Sequence, residues 1–191
     1  MKNYLFICFL FVSIIDIKSQ DQKSMDLNEL NYPWFASLNY GFQMSGIKDE
    51  DFVSSNYTPL FILTIGKRIS PLFAVQIGYK GFYFNYIEDD LKHHYNYYYI
   101  ETFFNLNNAI DPGRLNKNWN LELHAGAGIF DNHLPGKMQG CINLGIQNSY
   151  FLSDRVQVNI DISSIIGWKI YQGDEDILPG ITAGIIYLIT N

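Results

Sequence analysis

From Pro33 onward apolar and polar residues alternate at every second position, in stretches longer than a soluble strand needs. A period of two places one set of side chains on each face of a β-strand, whereas a helix would show a period near 3.6. Trp34, Ala36, Leu38, Tyr40, Phe42 and Met44 alternate with Phe35, Ser37, Asn39, Gly41 and Gln43. Seven further stretches follow, centred on Leu63, Ile77, Ile100, Leu123, Leu144, Ile160 and Ile185. The fifth is the most regular, with Trp119, Leu121, Leu123, Ala125, Ala127 and Ile129 set against Asn120, Glu122, His124, Gly126 and Gly128. Strands of globular proteins run about five or six residues. These run roughly ten to thirteen, the length a tilted strand needs to cross a bilayer.

Composition narrows the choice. The 191 residues suffice for one domain, and 48% hydrophobic with 16% aromatic side chains is far too apolar for disorder. No apolar run beyond the N-terminus reaches the roughly 18 residues of a spanning helix. The mean hydropathy near zero is the average of two interleaved faces. Gly41, Gly66, Gly78, Gly126, Gly128, Gly145, Gly167 and Gly184 all fall on the polar faces. An eight-stranded barrel has an interior just wide enough for side chains, so small residues must alternate there with long polar ones. The expected fold is therefore all-β, an eight-stranded antiparallel up-and-down transmembrane barrel whose polar faces point inward. A soluble lipocalin-like ligand carrier, with the faces reversed, is the alternative.

Residues 1–19 read as a secretory signal peptide: Lys2, an apolar stretch from Tyr4 to Ile15, then Lys18-Ser19-Gln20. Residues 20–32 then form a periplasmic N-terminal segment and 33–191 the barrel. Cys8 lies in the signal, so the mature chain keeps only Cys141 and no internal disulfide can form. The two tight connections, Ile69 to Pro71 and Leu152 to Asp154, are both even-numbered, and three of the four odd ones are long. The fourth connection along the chain, Asn107 to Asn118, is even-numbered and long where a short one is expected. Charge sorts by the same parity: the odd connections are acidic, while the even ones and their flanks carry Lys67, Arg68, Arg114, Lys117 and Arg155.

In this pattern the chain resembles the small eight-stranded outer-membrane β-barrels of Gram-negative bacteria, such as the outer membrane protein A transmembrane domain, outer membrane protein X and the opacity proteins. The resemblance covers Pro33 to Thr190. Thr182, Gly184, Tyr187 and Ile189 look like the C-terminal signal read by the barrel assembly machinery, although the sequence ends Thr190-Asn191 instead of with an aromatic residue. The resemblance implies outer-membrane location, contact with outer-membrane lipids and lipopolysaccharide, a monomer, and a structural or surface-interaction role.

Lys80, Glu101, Glu122, His124, Arg155, Asp161 and Lys169 are the ionisable residues read as facing the lumen. Groups buried in a narrow lumen must pair or be solvated, so a charge-balanced plug is expected and a porin-like path is the rival. Three acidic triplets, Asp49-Glu50-Asp51, Glu88-Asp89-Asp90 and Asp174-Glu175-Asp176, fall in odd connections. Such clusters are commonly solvated loops; the sharper expectation is shared Ca²⁺ or Mg²⁺, which prefer carboxylate oxygens, bridging to lipopolysaccharide or a surface partner. No other cofactor is implied. His93, His94 and His133 near these acids, and Ser45, Ser54 and Ser55, are the raw material for a metal site or a lipid A acyltransferase or deacylase, but nothing orders them into a nucleophile and base. A non-enzyme is expected. With a net charge of -6 and no basic stripe, nucleic-acid binding is excluded.

Overall fold

The structure, a computed structural model, describes residues 33–45, 57–85, 92–112, 118–133, 137–168, 170 and 176–189. The signal peptide and N-terminal segment expected over residues 1–32 lie outside them. Eight strands form one closed sheet: β1 (Trp34–Met44), β2 (Tyr57–Arg68), β3 (Phe73–Asn85), β4 (Lys92–Asn105), β5 (Trp119–Asn132), β6 (Lys137–Phe151), β7 (Val156–Gly167) and β8 (Asp176–Ile189). Each pairs antiparallel with the next, and β8 returns to β1 through Trp34↔Ile189 and Leu38↔Ile185. Closure leaves no unpaired edge. The chain is thus an eight-stranded antiparallel up-and-down barrel with strands of 11 to 15 residues.

The alternation sets the wall's polarity. Outward-facing Leu38 is 51% exposed, Ile77 57%, Ile100 55% and Ile185 55%, while Asn39, Gln76, Glu101 and Asn143 on the other face are buried. The barrel is apolar outside and polar within, the reverse of what a soluble ligand carrier requires. Trp34 and Trp119 stand at one rim and Trp168 follows β7 at the other.

Both tight turns are built alike. Ser70 Oγ accepts from the amides of Leu72 and Phe73, and Ser153 Oγ from those of Arg155 and Val156. The long fourth connection begins as a single helical turn, α1 (Leu106–Ile110), capped by Asn105, whose side chain accepts from Asn108 N. Asn107 Oδ1 accepts from Leu121 N at 2.6 Å and Asn108 Nδ2 donates to Pro71 O at 2.6 Å. The connection that looked too long is folded against the barrel's turn end. Leu106, which continues the apolar alternation of Tyr98, Ile100 and Phe104, belongs to this turn and not to β4.

Inside, the lumen is layered. Nearest the loops, Tyr95 stacks on Phe130 at 4.7 Å and Tyr97 on Tyr99 at 5.2 Å, packed with Leu60, Ile62, Cys141 and Ile165. Near the turns Phe35, Ala74, Phe103, Ile186 and Leu188 form a second apolar cluster. The polar groups lie between. The aromatic residues therefore do not serve the two interfaces alone: a narrow lumen is also filled with rings, because close-packed apolar side chains seal it without needing partners. Ile186 and Leu188, which break the polar face of the last stretch, are buried for the same reason.

Candidate functional site

Strands β3 to β7 bring one cation, one imidazole and two carboxylates together at mid-lumen. His124 places Nδ1 2.9 Å from Glu101 Oε2 and Nε2 2.7 Å from Asp161 Oδ2. A ring with a carboxylate oxygen on both sides must donate on both sides unless one carboxyl holds the proton. Lys80 Nζ donates to Asn143 Oδ1 at 3.0 Å and Ser163 Oγ at 2.9 Å, and lies 5.3 Å from the centroid of the Tyr99 ring. Ser163 Oγ passes the chain on to Asp161 Oδ1 at 2.7 Å, and Asn143 Nδ2 donates to Glu101 Oε2 at 2.7 Å. Gln76 Nε2 donates to the other Glu101 oxygen at 2.6 Å. The result is a closed loop of hydrogen bonds linking Lys80, Asn143, Glu101, His124, Asp161 and Ser163.

Small residues make room for it. Gly145 faces the His124 ring, and a Cβ there would overlap the imidazole. Phe103 stacks on the opposite side of the ring at 4.7 Å. Opposite charges held this close and fully hydrogen-bonded are tolerated away from water, whereas any one of them alone would not be.

A second group lies toward the turns. Arg68 Nη1 sits 3.1 Å from Glu122 Oε1, and Asn105 Nδ2 donates to the same oxygen at 3.3 Å. A third, wholly neutral, joins Asn39 to Asn159 at 2.8 Å, Asn159 to Gln147 at 3.2 Å and Asn39 to Thr182 at 3.4 Å.

Of the residues read as lumenal, Lys80, Glu101, His124 and Asp161 share one cluster and Glu122 joins the second. Arg155 does not face inward. It is exposed in the β6–β7 turn, because β7 begins at Val156 and a guanidinium just beyond the last inward position reaches water at the rim. Arg68 takes its place as the inner guanidinium; its even position on β2, in step with Thr58 and Thr64, is the signal that marks it. Lys169 and the acidic triplets, including the Asp176 side chain, lie outside the described residues. Thr182 is buried and bonded to Asn39, Gly184 leaves room for the Asn39 side chain, and Tyr187 and Ile189 are exposed on the outer wall.

The His93 side chain lies outside the described residues. His94 and His133 are exposed at the loop-end rim, joined by a 3.4 Å backbone bond, with His133 Nδ1 3.7 Å from Asp131. Among the described residues no three His, Cys, Asp or Glu side chains converge as metal ligands.

Solved structures share this barrel. It is similar to the N-terminal β-barrel domain of Pseudomonas aeruginosa OprF, with a TM-score of 0.51 at 9% identity over 80% of this chain and 97% of that one. It is also similar to neisserial surface protein A, with a TM-score of 0.55 at 13% identity over 81% of this chain and 96% of that one. The chain has the fold of the small eight-stranded outer-membrane β-barrels. No protein-family model matches it and no curated protein matches it.

Proposed function

We propose that this chain is an outer-membrane barrel of a Gram-negative cell with a structural or surface-interaction role and no catalytic one. The observation that carries the reading is the inverted polarity, a continuous apolar outer wall around a hydrogen-bonded interior. In water that wall would expose far more contiguous apolar surface than a monomeric soluble protein carries; in lipid it is the matched surface. The similarity to solved barrels supports the fold on which this rests. The barrel spans as a monomer, is inserted by the barrel assembly machinery through its β8 signal, and contacts lipopolysaccharide. Cell fractionation followed by electrophoresis with and without boiling tests it: the protein partitions with the outer membrane and its unheated form migrates faster. Recovery in the soluble periplasmic fraction overturns it.

In sequence the acidic triplets fall between β1 and β2, between β3 and β4, and between β7 and the first residue of β8, three connections at the same end of an up-and-down barrel. They bind Ca²⁺ or Mg²⁺ in this reading, since clustered carboxylates suit hard cations, and the bound ion links the loops to anionic lipopolysaccharide or a partner surface. Calorimetric titration of Ca²⁺ into the refolded protein and a triplet-to-Ser variant tests this. Equal heats dismiss it.

A further inference from the structure

The turn end of the barrel holds apolar side chains out in the open on one side of its mouth. Ile110, the last residue of α1, is 82% exposed, and Ile69 in the β2–β3 turn is 57% exposed. Pro71 of the same turn is exposed too, and its carbonyl accepts from Asn108 Nδ2, which sets α1 against that turn. Asn107 Oδ1 holds α1 to β5 through Leu121 N. Ile110 is thus presented on a braced element, none of whose five residues is buried. Single apolar residues are ordinary on a surface, so what lies beside this patch decides its meaning.

Pro33 enters the barrel next to it. The Pro33 carbonyl accepts from Arg68 N at 3.2 Å, one residue before Ile69. Residues 20–32 therefore lead to the same edge of the mouth. Leu27 stands six residues before Pro33, a reach of about 20 Å for an extended chain. Ile110 follows β4, three strands from β1, a distance of about 14 Å around the rim.

Charge distinguishes the two sides of the mouth. Residues 20–32 hold Asp21, Asp26 and Glu29 against Lys23, together with Met25, Leu27, Leu30 and Tyr32. On the α1 side stand Lys67 and Arg68, whose pairing with Glu122 leaves the Arg68 side chain 20% exposed. In sequence the connection after α1 adds Arg114 and Lys117 against Asp111. The β6–β7 turn on the other side carries Arg155 beside Asp154 and is balanced. Only the α1 side offers an acidic, leucine-bearing segment both a cationic rim and an apolar patch.

We propose that residues 20–32 fold back across the turn end, with Leu27 on Ile110 and with Asp26 and Glu29 toward Arg68 and Lys67. The segment covers the mouth of the barrel at the end opposite the stacked rings of Tyr95 and Phe130.

Two measurements test this on the full chain, expressed in a Gram-negative host and purified in detergent micelles. In a Cys8→Ser, Cys141→Ser background only introduced thiols react. Leu27→Cys with Ile110→Cys should close a disulfide about 10-fold faster than Leu27→Cys with Leu152→Cys, because docking raises the local concentration of one thiol at the other. Leu152 is the matched control, 59% exposed in the β6–β7 turn and only two strands from β1. Equal rates, or faster closure at Leu152, overturn the proposal. The second measurement needs no thiol. A glutamate-specific protease should cut after Glu29 about 10-fold faster in Ile110→Asp than in the parent, since the aspartate removes the apolar contact, repels the acidic segment and frees it for cleavage. Ile110 is outside the core, so the barrel itself is left intact. Cleavage at the parent rate overturns the proposal.

Discussion

Lys80 on β3 crosses the lumen to Ser163 on β7, Nζ to Oγ 2.9 Å, and so joins two walls that share no backbone hydrogen bond. The same ammonium holds Asn143, which in turn holds Glu101. Lys80→Met removes the cation and leaves Glu101 and Asp161 sharing His124 alone. Breaking a buried pair by deleting one partner costs about 3–5 kcal/mol, so the variant's unfolding free energy in urea, measured in vesicles, should fall by an amount of that order. Adding Asp161→Asn should recover part of it, because the second change removes the carboxylate left uncompensated. A loss below about 1 kcal/mol would mean that solvent already screens the cluster.

Gly145 and Gly140 lie on the same strand but differ in what surrounds them. A Cβ at Gly145 meets the His124 ring, whereas one at Gly140 meets nothing within 4 Å. Overpacking a filled interior typically costs about 1–3 kcal/mol. Gly145→Ala should show that loss by urea unfolding, while Gly140→Ala should stay within about 0.5 kcal/mol of the parent. Equal effects at the two sites would remove the steric explanation for glycine on the inner face.

The number of strands, their order and the face of nearly every residue were legible from the period of two, because each strand has one lipid-like and one polar face and a slip by one residue would invert both. Parity alone turns Arg155 inward because the alternation continues past the point where the strand ends, and only the Ser153 turn fixes that end. Ile62, Phe130 and Ile165 carry no signal of their own in the sequence, because apolar residues at inward positions look like noise in an alternating pattern, yet they are what seals the loop end. The convergence of Lys80, Glu101, His124 and Asp161 was not legible. It depends on side chains from β3, β4, β5 and β7 meeting across a closed ring, and the shear that sets their level is not written in any single strand.

Ile100 sits at mid-wall, between Ile77 on β3 and Ala127 on β5, and faces outward. If that wall meets lipid, Ile100→Arg should destabilise the barrel in phospholipid vesicles by about 2–4 kcal/mol, and an arginine near the interface by about 0–1 kcal/mol. Leu152→Arg, in the exposed β6–β7 turn, supplies the interfacial comparison. Comparable small effects at both positions would contradict a membrane-embedded wall.

The stacked rings and the Lys80 braces block the lumen in series: Tyr95 and Phe130 close the loop end, and below them Lys80 ties β3 to β6 and β7. Barriers in series make removal of either one insufficient. The parent protein should pass no steady current in planar bilayers, and Phe130→Ala should stay silent as well, although loss of a buried ring costs about 3–5 kcal/mol. The combination Phe130→Ala with Lys80→Ala should stay silent too, because His124 still bridges Glu101 to Asp161 and Phe35, Phe103, Ile186 and Leu188 still fill the lumen toward the turns. A long-lived open level in the parent would show that the interior is a path and not a plug, and openings in Phe130→Ala alone would show that the ionic cluster does not obstruct it.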